Sequence, residues 1–267
     1  MKRINLMLTA TLIAVLTACS TVPLTGRRQA NLVSDNEMQQ MAAQSYRQFL
    51  SDPKIQVVNN SAQSRKVKEV GNNIKSAVTR FMSQQGLSAS IEGFDWEFNL
   101  IQNNEVNAWC MPGGKVAVYT GILPITLNDA GLATVMGHEI AHAIAKHSNE
   151  RYSNAMIAQG LGAVIGGVVT KSEAGMGVFN QVFGIGAQAG ALLPNSRKQE
   201  SEADRLGITF MAMAGYNPDA AVDFWTRMAA KSGGQAPPEW MSTHPSDATR
   251  INDIKKYLPE ARQYYKR

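Results

Sequence analysis

The chain has 267 residues, of which 44% are apolar and 18% charged, and its formal net charge is +5. This composition excludes an intrinsically disordered protein, and the length fits one large domain or two small ones. Loss of residues 1–18 as a signal peptide would remove Lys2 and Arg3, leaving 24 basic against 21 acidic residues, a net charge of +3. So small an excess gives no reason to expect nucleic-acid binding.

The N-terminus has the features of an export signal. Two basic residues precede an apolar run over residues 4–18, which is too short to span a membrane but suits a signal-peptide core. The run ends in Leu16-Thr17-Ala18-Cys19, which resembles the lipobox of bacterial lipoproteins. The resemblance implies that a lipidated Cys19 anchors the chain to a membrane, and Ser20 after it favours the outer membrane. The alternative is an ordinary signal peptide with an incidental cysteine. Cys110 is then the lone mature thiol and is expected to pack in the core.

Capping signals and apolar spacing predict the elements of the first half of the chain. Ser34 and Glu37 form a capping-box pattern at the start of a helix. After a tether over residues 19–33, whose lipidation the lipobox resemblance implies, the predicted elements are a helix from about Asp35 to Leu50, a helix from Asn60 to Gly86 and a strand from Phe94 to Ile101. Residues 34–267 are expected to form a single domain, because no convincing linker follows residue 60.

Residues 104–121 read as two short strands around the turn Pro112-Gly113-Gly114. The edge of such a hairpin can accept an extended peptide as one more strand, through main-chain hydrogen bonds that tolerate many sequences. The residues predicted to form this substrate-binding edge are Asn107, Ala108, Trp109 and Met111. The residues alone are equally compatible with a sheet edge that binds no ligand.

The motif His138-Glu139-Ile140-Ala141-His142 carries the strongest chemical signal. On a helix its two histidines lie about 40° apart and one turn along, so that both rings can reach one metal ion. Glu139 lies about 100° from His138, at the edge of the same face. H-E-x-x-H is typical of helices that bind zinc and carry a catalytic glutamate. The helix is predicted to run from Asn128 or Asp129 to about Ser148. On an unbroken helix His147 lies about 180° from His138 and cannot join the site.

A second helix, predicted from Asn195-Ser196 to about Ala214, supplies carboxylates. Glu200 and Asp204 are four residues apart and share a face, so Glu200 can be a third zinc ligand while Asp204 braces a histidine. Glu202 lies about 200° from Glu200 and is expected to face solvent or a neighbouring arginine. Without the H-E-x-x-H motif, an acidic solvated helix would be the simpler interpretation.

The remaining segments carry weaker signals. Residues 155–193 are rich in glycine and alanine, and we expect helices packed on the domain or resting at a bilayer surface rather than a membrane span; a mobile segment that gates the site is an alternative. A helix is predicted from Asn217 to about Lys231 and another from Arg250 to Tyr257. His244 is interpreted either as a surface cap or as a residue that swings to the metal.

Together these motifs resemble the zinc metallopeptidase family of HtpX, the CaaX-prenyl endopeptidases and the BepA- and LoiP-like periplasmic proteases. The resemblance rests on His138 to His142, the segment Glu200 to Gly207, the hairpin residues, and Thr243-His244-Pro245 with Arg250. It implies an α+β, mostly helical, gluzincin-type fold with a small hairpin sheet packed on the metal helix. It also implies one Zn²⁺ held by His138, His142 and Glu200, with Glu139 as general base.

In BepA-like members the histidine that matches His244 can cap the metal and hold the enzyme shut. The resulting hypothesis is a membrane-anchored zinc endopeptidase that cleaves misfolded or misassembled envelope proteins at the periplasmic face of the outer membrane. Its partners are then polypeptides and the membrane, reached through Cys19. One alternative is an envelope chaperone or assembly lipoprotein that uses the fold for binding. Another is a zinc hydrolase of non-peptide substrates.

Overall fold

The computed structural model describes residues 19–22, 24–159, 172–183, 195–232, 244 and 249–266. Over these ranges the protein is mostly helical with small sheets, which confirms the predicted α+β class. In chain order the elements are β1 (Cys19–Thr21), β2 (Arg28–Ala30), α1 (Asp35–Ser51), α2 (Ala62–Gln84), a 3₁₀ turn (Ser88–Ile91), β3 (Glu97–Ile101), β4 (Ala108–Met111), β5 (Lys115–Tyr119), a 3₁₀ turn (Thr120–Ile122), α3 (Leu123–Thr126), α4 (Asp129–Ile144), α5 (His147–Ala158), α6 (Glu173–Phe183), α7 (Arg197–Met213), α8 (Ala220–Ser232) and α9 (Arg250–Arg262).

The larger sheet has the strand order β3-β5-β4, with β3 parallel and β4 antiparallel to β5. The predicted hairpin is present, and Gly113 and Gly114 both have φ +82°, a left-handed conformation that side chains other than glycine rarely adopt. As the last strand in the order, β4 forms an edge, and it packs against α4. The hairpin therefore holds its edge strand beside the helix that carries the H-E-x-x-H motif.

Helix α4 occupies the centre of the domain. Every residue from Gly131 to Ile144 is buried, and α2, α7, α8 and β4 surround the helix. Its sequence is apolar on several sides, as a helix buried all round requires. The capping box Ser34–Glu37 at the start of α1 is formed as predicted, and Asn128 caps α4 by accepting a hydrogen bond from the Gly131 backbone N–H.

The prediction that the metal helix continues to Ser148 is wrong. Helix α4 ends at Ile144, because Lys146 adopts a left-handed conformation with φ 59° and ψ 30°. The ammonium of Lys146 lies 2.6 Å from an Asp35 carboxylate oxygen, an ion pair that holds this residue against α1. A new helix, α5, then starts at His147. The angular argument that separated His147 from the site assumed a continuous helix and does not apply.

The N-terminal segment is packed on the domain where it is described. Strands β1 and β2 form an antiparallel ribbon, and Val22 between them is buried. The Leu32 backbone N–H donates to the Ser153 hydroxyl at 2.9 Å, and the Asn149 amide donates to the Val33 carbonyl at 2.7 Å. The predicted signal peptide, residues 1–18, and the side chain of Cys19 lie outside the described residues.

Part of the glycine-rich stretch 155–193 is also described. Its helix α6 packs Val178, Phe179 and Val182 into a cluster with residues of α1 and α5. Residues 160–171 and 184–194, on which much of the prediction for this stretch falls, lie outside the described residues. Among the helices that are described, none combines the length and the apolarity needed to cross a membrane.

Two glycines let α4 and α7 approach each other closely. A Cβ added to Gly137 would lie 2.7 Å from the Gly207 carbonyl oxygen, and one added to Gly207 would lie 2.8 Å from the His138 backbone nitrogen. Both distances are shorter than a Cβ tolerates, and the opposing atoms belong to the backbone. The two helices can therefore stay at this separation only with glycine at both positions.

We predict that Gly207→Ala lowers the free energy of unfolding by about 1–3 kcal/mol, as expected when a methyl group is forced into a close-packed contact. It should also weaken binding of the zinc ion that the sequence predicts between these helices, because α4 and α7 move apart. Gly177→Ala on α6 is the matched control, since its added Cβ meets nothing within 4 Å. Urea unfolding and zinc stoichiometry measure both effects, and a Gly207→Ala protein as stable as the control would contradict the close-contact argument.

Candidate metal centre

Four buried side chains converge between α4 and α7. His138 and His142 project from α4 one turn apart, Glu200 from the first turn of α7, and His244 from the segment that precedes α9; each is at most 5% exposed. One ligand atom from each of the four lies within 4.8 Å of the others. A capping box between Ser196 and Gln199 starts α7, and this start places Glu200 opposite the two histidines. The structure therefore brings together the three predicted ligands and His244.

The distances between donor atoms fit a zinc ion. His138 Nε2 lies 3.0 Å from His142 Nε2 and 3.5 Å from a Glu200 carboxylate oxygen, and His142 Nε2 lies 3.4 Å from the other. Four ligands at zinc bond lengths of 2.0–2.1 Å define a tetrahedron whose edges are about 3.3 Å. Imidazole nitrogens and a carboxylate are also ligands that zinc prefers. These residues can thus hold zinc without rearrangement of the backbone.

Burial and neighbouring charges set the protonation of the ligands. Burial lowers the pKa of His142 well below its usual value, so its ring is neutral. Burial also lowers the pKa of His138, but hydrogen bonds to Asp204 and Glu200 outweigh this effect and raise that pKa to about 9. For Glu200, burial raises the pKa, but His244 and Arg250 outweigh it and hold the pKa well below its usual range. The centre thus contains a carboxylate and a neutral imidazole ready to bind a cation.

The side of His138 that faces away from the donor cluster contacts Asp204. His138 Nδ1 lies 2.9 Å from the Asp204 Oδ1, as expected for a carboxylate that fixes a ligand's orientation. Arg250 donates two hydrogen bonds of 2.8 Å to the same carboxylate and lies 2.9 Å from Glu200. Its guanidinium stacks 3.4 Å above the Trp225 ring. Spacing alone did not reveal the contacts of Arg250 and Trp225 with the site, because both residues come from other helices.

His142 has a different partner on its outer side. Its Nδ1 lies 2.7 Å from His147 Nδ1, and His147 Nε2 lies 2.9 Å from a Glu202 carboxylate oxygen. His147 is not among the four converging residues, but it contacts one of them directly. Glu202 does not face solvent: it is 9% exposed and also binds Arg27, so the alternative of a neighbouring arginine is the one observed. The concentration of three of the four histidines in residues 138–147 was the sequence signal for this contact.

His244 lies between the donor atoms and Glu139. Its Nδ1 is 3.0 Å from Glu200 Oε1 and 3.2 Å from His138 Nε2, and its Nε2 is 3.5 Å from Glu139 Oε1. The Asn195 amide lies 3.3 Å from the same Nδ1. Of the two sequence interpretations, the surface cap is wrong, because the ring is buried at the fourth corner of the donor cluster. Cys110 is buried in the core as expected, and burial raises the pKa of its thiol well above the usual value.

The predicted substrate edge offers mainly backbone. The side chains of Ala108 and Met111 are buried, whereas Asn107 and Trp109 are partly exposed. The Trp109 ring packs edge-to-face on Tyr46 and Phe49, with centroid separations of 5.7 and 5.2 Å. A small cavity lies beside the hairpin turn, and the residues that line it include Met38, Phe94, Pro112, Gly113, His142 and Lys146.

We predict that zinc binding at neutral pH releases about one proton, because zinc and a proton compete for His138 Nε2 while the pKa of this histidine is about 9. Zinc affinity should therefore fall about tenfold for each pH unit below 9. Calorimetry in buffers of different ionisation enthalpy counts the protons. Asp204→Asn removes a carboxylate that raises this pKa and should reduce the number released at pH 7. An equal count in both proteins would contradict the assignment.

Comparison with known proteins agrees with this geometry. The family model of peptidase family M48 matches residues 69–258, a range that contains the whole cluster. The chain is 33% identical over 242 residues to the mitochondrial metalloendopeptidase OMA1 of Schizosaccharomyces pombe, covering 90% of this chain and 66% of that protein. It is 36% identical over 182 residues to its namesake from Saccharomyces cerevisiae, covering 66% and 50%. It is 29% identical over 167 residues to the beta-barrel assembly-enhancing protease of Yersinia pestis, covering 60% and 34%.

The chain therefore spans between about a third and two thirds of the length of these relatives. The family match covers well over half of the chain and includes both helices that supply the converging donors. Metallopeptidases of this family use zinc, which agrees with the donor set and its spacing. The chain belongs to peptidase family M48.

Proposed function

We propose that this protein is a zinc endopeptidase. The observation that carries the proposal is the convergence of His138, His142 and Glu200 at zinc-like separations, with Glu139 adjacent to them on α4, in a chain of family M48. Two neutral imidazoles and one carboxylate are a donor set used by catalytic zinc sites, which keep one position for water or substrate. Asp204 orients His138 from outside this set.

In this proposal Glu139 is the general base. Its carboxylate is buried beside the donor cluster, where it can accept a proton from a water that attacks a peptide carbonyl. The same carboxylate then delivers the proton to the leaving amine. Zinc, when bound, supplies a Lewis acid that polarises the carbonyl and makes water more acidic. His244, once displaced from the donor cluster, can donate a hydrogen bond to the developing oxyanion.

The position of His244 further suggests a closed resting state. Its ring fills the corner of the donor cluster that a substrate or water would need, and Asn195 contacts it there. A substrate must therefore displace His244 before cleavage. The polypeptide would then lie as an extended strand along the edge of β4, near Asn107, Ala108, Trp109 and Met111.

We further propose that the enzyme acts in the cell envelope, anchored through a lipidated Cys19 at the periplasmic face of the outer membrane. The lipobox-like sequence supports this location. The Yersinia pestis relative is named a beta-barrel assembly-enhancing protease, and transmembrane β-barrels are proteins of bacterial outer membranes. Misfolded or misassembled envelope proteins are therefore the proposed substrate class.

We predict that Glu139→Gln retains one zinc per chain but lowers the rate of casein cleavage by at least about 10²-fold, because proton transfer is lost while the ligands stay. Glu200→Ala is the contrasting variant: it should lose zinc, because two histidines remain on α4 without the carboxylate. Metal analysis and a casein assay on the same preparations separate the two effects. Full activity in Glu139→Gln would reject Glu139 as the base, and stoichiometric zinc in Glu200→Ala would reject Glu200 as a ligand.

We predict that His244→Ala opens the fourth position without loss of zinc. A small hydroxamate, which binds zinc directly, should then inhibit at a concentration at least about tenfold lower than with the unaltered protein, because no side chain competes with it. Glu260→Gln, which breaks an exposed ion pair with Arg205, is the control. Unchanged hydroxamate affinity in His244→Ala would show that this histidine does not occupy the metal position in solution.

A further inference from the structure

His142, His147 and Glu202 are joined by a series of hydrogen bonds. His142 Nδ1 and His147 Nδ1 are 2.7 Å apart, with the two rings inclined at 72°. His147 Nε2 and a Glu202 carboxylate oxygen are 2.9 Å apart, and His147 has no exposed surface. We propose that His147 and Glu202 act as a positioning pair that fixes the tautomer and orientation of His142 for the metal. This inference rests on the proposed role of His142 as a zinc ligand.

This series of hydrogen bonds permits only one arrangement of protons. His142 must keep the lone pair of Nε2 free for the metal, so its single proton lies on Nδ1. Nδ1–H then donates to His147 Nδ1, which must carry a lone pair. The proton of a neutral His147 is therefore on Nε2 and is donated to Glu202. A doubly protonated His147 would place two N–H groups against each other at 2.7 Å, so it is incompatible with this contact.

The arrangement parallels the support of the other histidine. Asp204 accepts from His138 directly and is held by Arg250. Glu202 acts on His142 through His147 and is held by Arg27, whose Nε donates to it at 2.8 Å. On the side away from the metal position, each imidazole on α4 is thus supported, directly or through His147, by an acidic residue of α7. That acidic residue in turn binds an arginine. Outer contacts of this kind orient ligating histidines and raise metal affinity.

Arg27 connects this series of hydrogen bonds to the N-terminal segment. Its guanidinium forms two further hydrogen bonds of 2.8 Å to Glu150 on α5, and the Thr25 hydroxyl donates to Glu202. Gln199 donates to the same Glu150 carboxylate at 2.7 Å. The loop between β1 and β2, a few residues after Cys19, therefore braces the outer end of the pair. The N-terminal segment is in this way part of the support of the metal centre.

The test compares paired substitutions by their zinc affinity, measured by competition with a chelator. His147→Phe keeps a ring but removes both nitrogens, and it should weaken zinc binding about 10- to 100-fold. His147→Asn places an amide oxygen near the original Nδ1 and should restore most of the affinity. Glu202→Ala should weaken binding, whereas Glu202→Gln, which keeps an acceptor for His147 Nε2–H, should recover part of it. Glu260→Gln on the surface should change nothing.

Two further measurements separate positioning from folding and from catalysis. Nitrogen-15 NMR of the zinc-loaded protein should show the proton of His142 on Nδ1 and that of His147 on Nε2. Unfolding of the zinc-free variants in urea shows whether His147→Phe still folds. If it does not, His147→Asn is the variant compared with the unaltered protein. A proton on His147 Nδ1, or equal zinc affinity in His147→Phe and His147→Asn, would overturn the inference. None of these readouts requires peptide cleavage, so the inference can stand or fail independently of the proposed endopeptidase activity.

Discussion

The close contact between α4 and α7 is the constraint on which the metal centre depends. It brings the backbones together at Gly137 and Gly207, and a Cβ at either position would meet backbone atoms at less than 3 Å. Because helices are stiff, this one point of contact sets where the first turn of α7 lies relative to His138 and His142. Glu200 and Asp204 then face the same histidine from two directions. The packing of two small residues thus positions side chains one and two turns away.

Because these polar groups are buried, the free energy of the folded state depends on the partners they have. A carboxylate or an imidazole removed from water is costly unless other groups compensate its charge and hydrogen bonds. Around this centre Arg250 and Arg27 compensate the acidic residues of α7, and those acidic residues in turn contact the histidines of the 138–147 segment. Trp225 covers the guanidinium of Arg250. The centre is therefore a buried network whose arginines come from sequence-distant segments.

His244 is the fourth member of the donor cluster in this network. Its ring contacts Glu200 and His138 and lies near Glu139, so one side chain touches both the donor cluster and the proposed base. The edge strand β4 of the hairpin packs against α4, the helix that carries two of the donors. The closure proposed above therefore depends on a residue that lies outside α4 and α7.

The sequence by itself determined which residues of α4 and α7 could share a face, because helical geometry relates residues four apart regardless of context. This local rule was enough to predict that His138 shares a face with His142 and Glu200 with Asp204. Turn chemistry was enough to predict the hairpin at Gly113-Gly114. It did not locate the break at Lys146, whose left-handed conformation accompanies an ion pair with Asp35 on α1. Only the tertiary structure decided that His147 lies behind His142, that Glu202 meets Arg27, and that His244 is buried against the donors. Those contacts join residues as many as 175 positions apart, and no local periodicity can encode them.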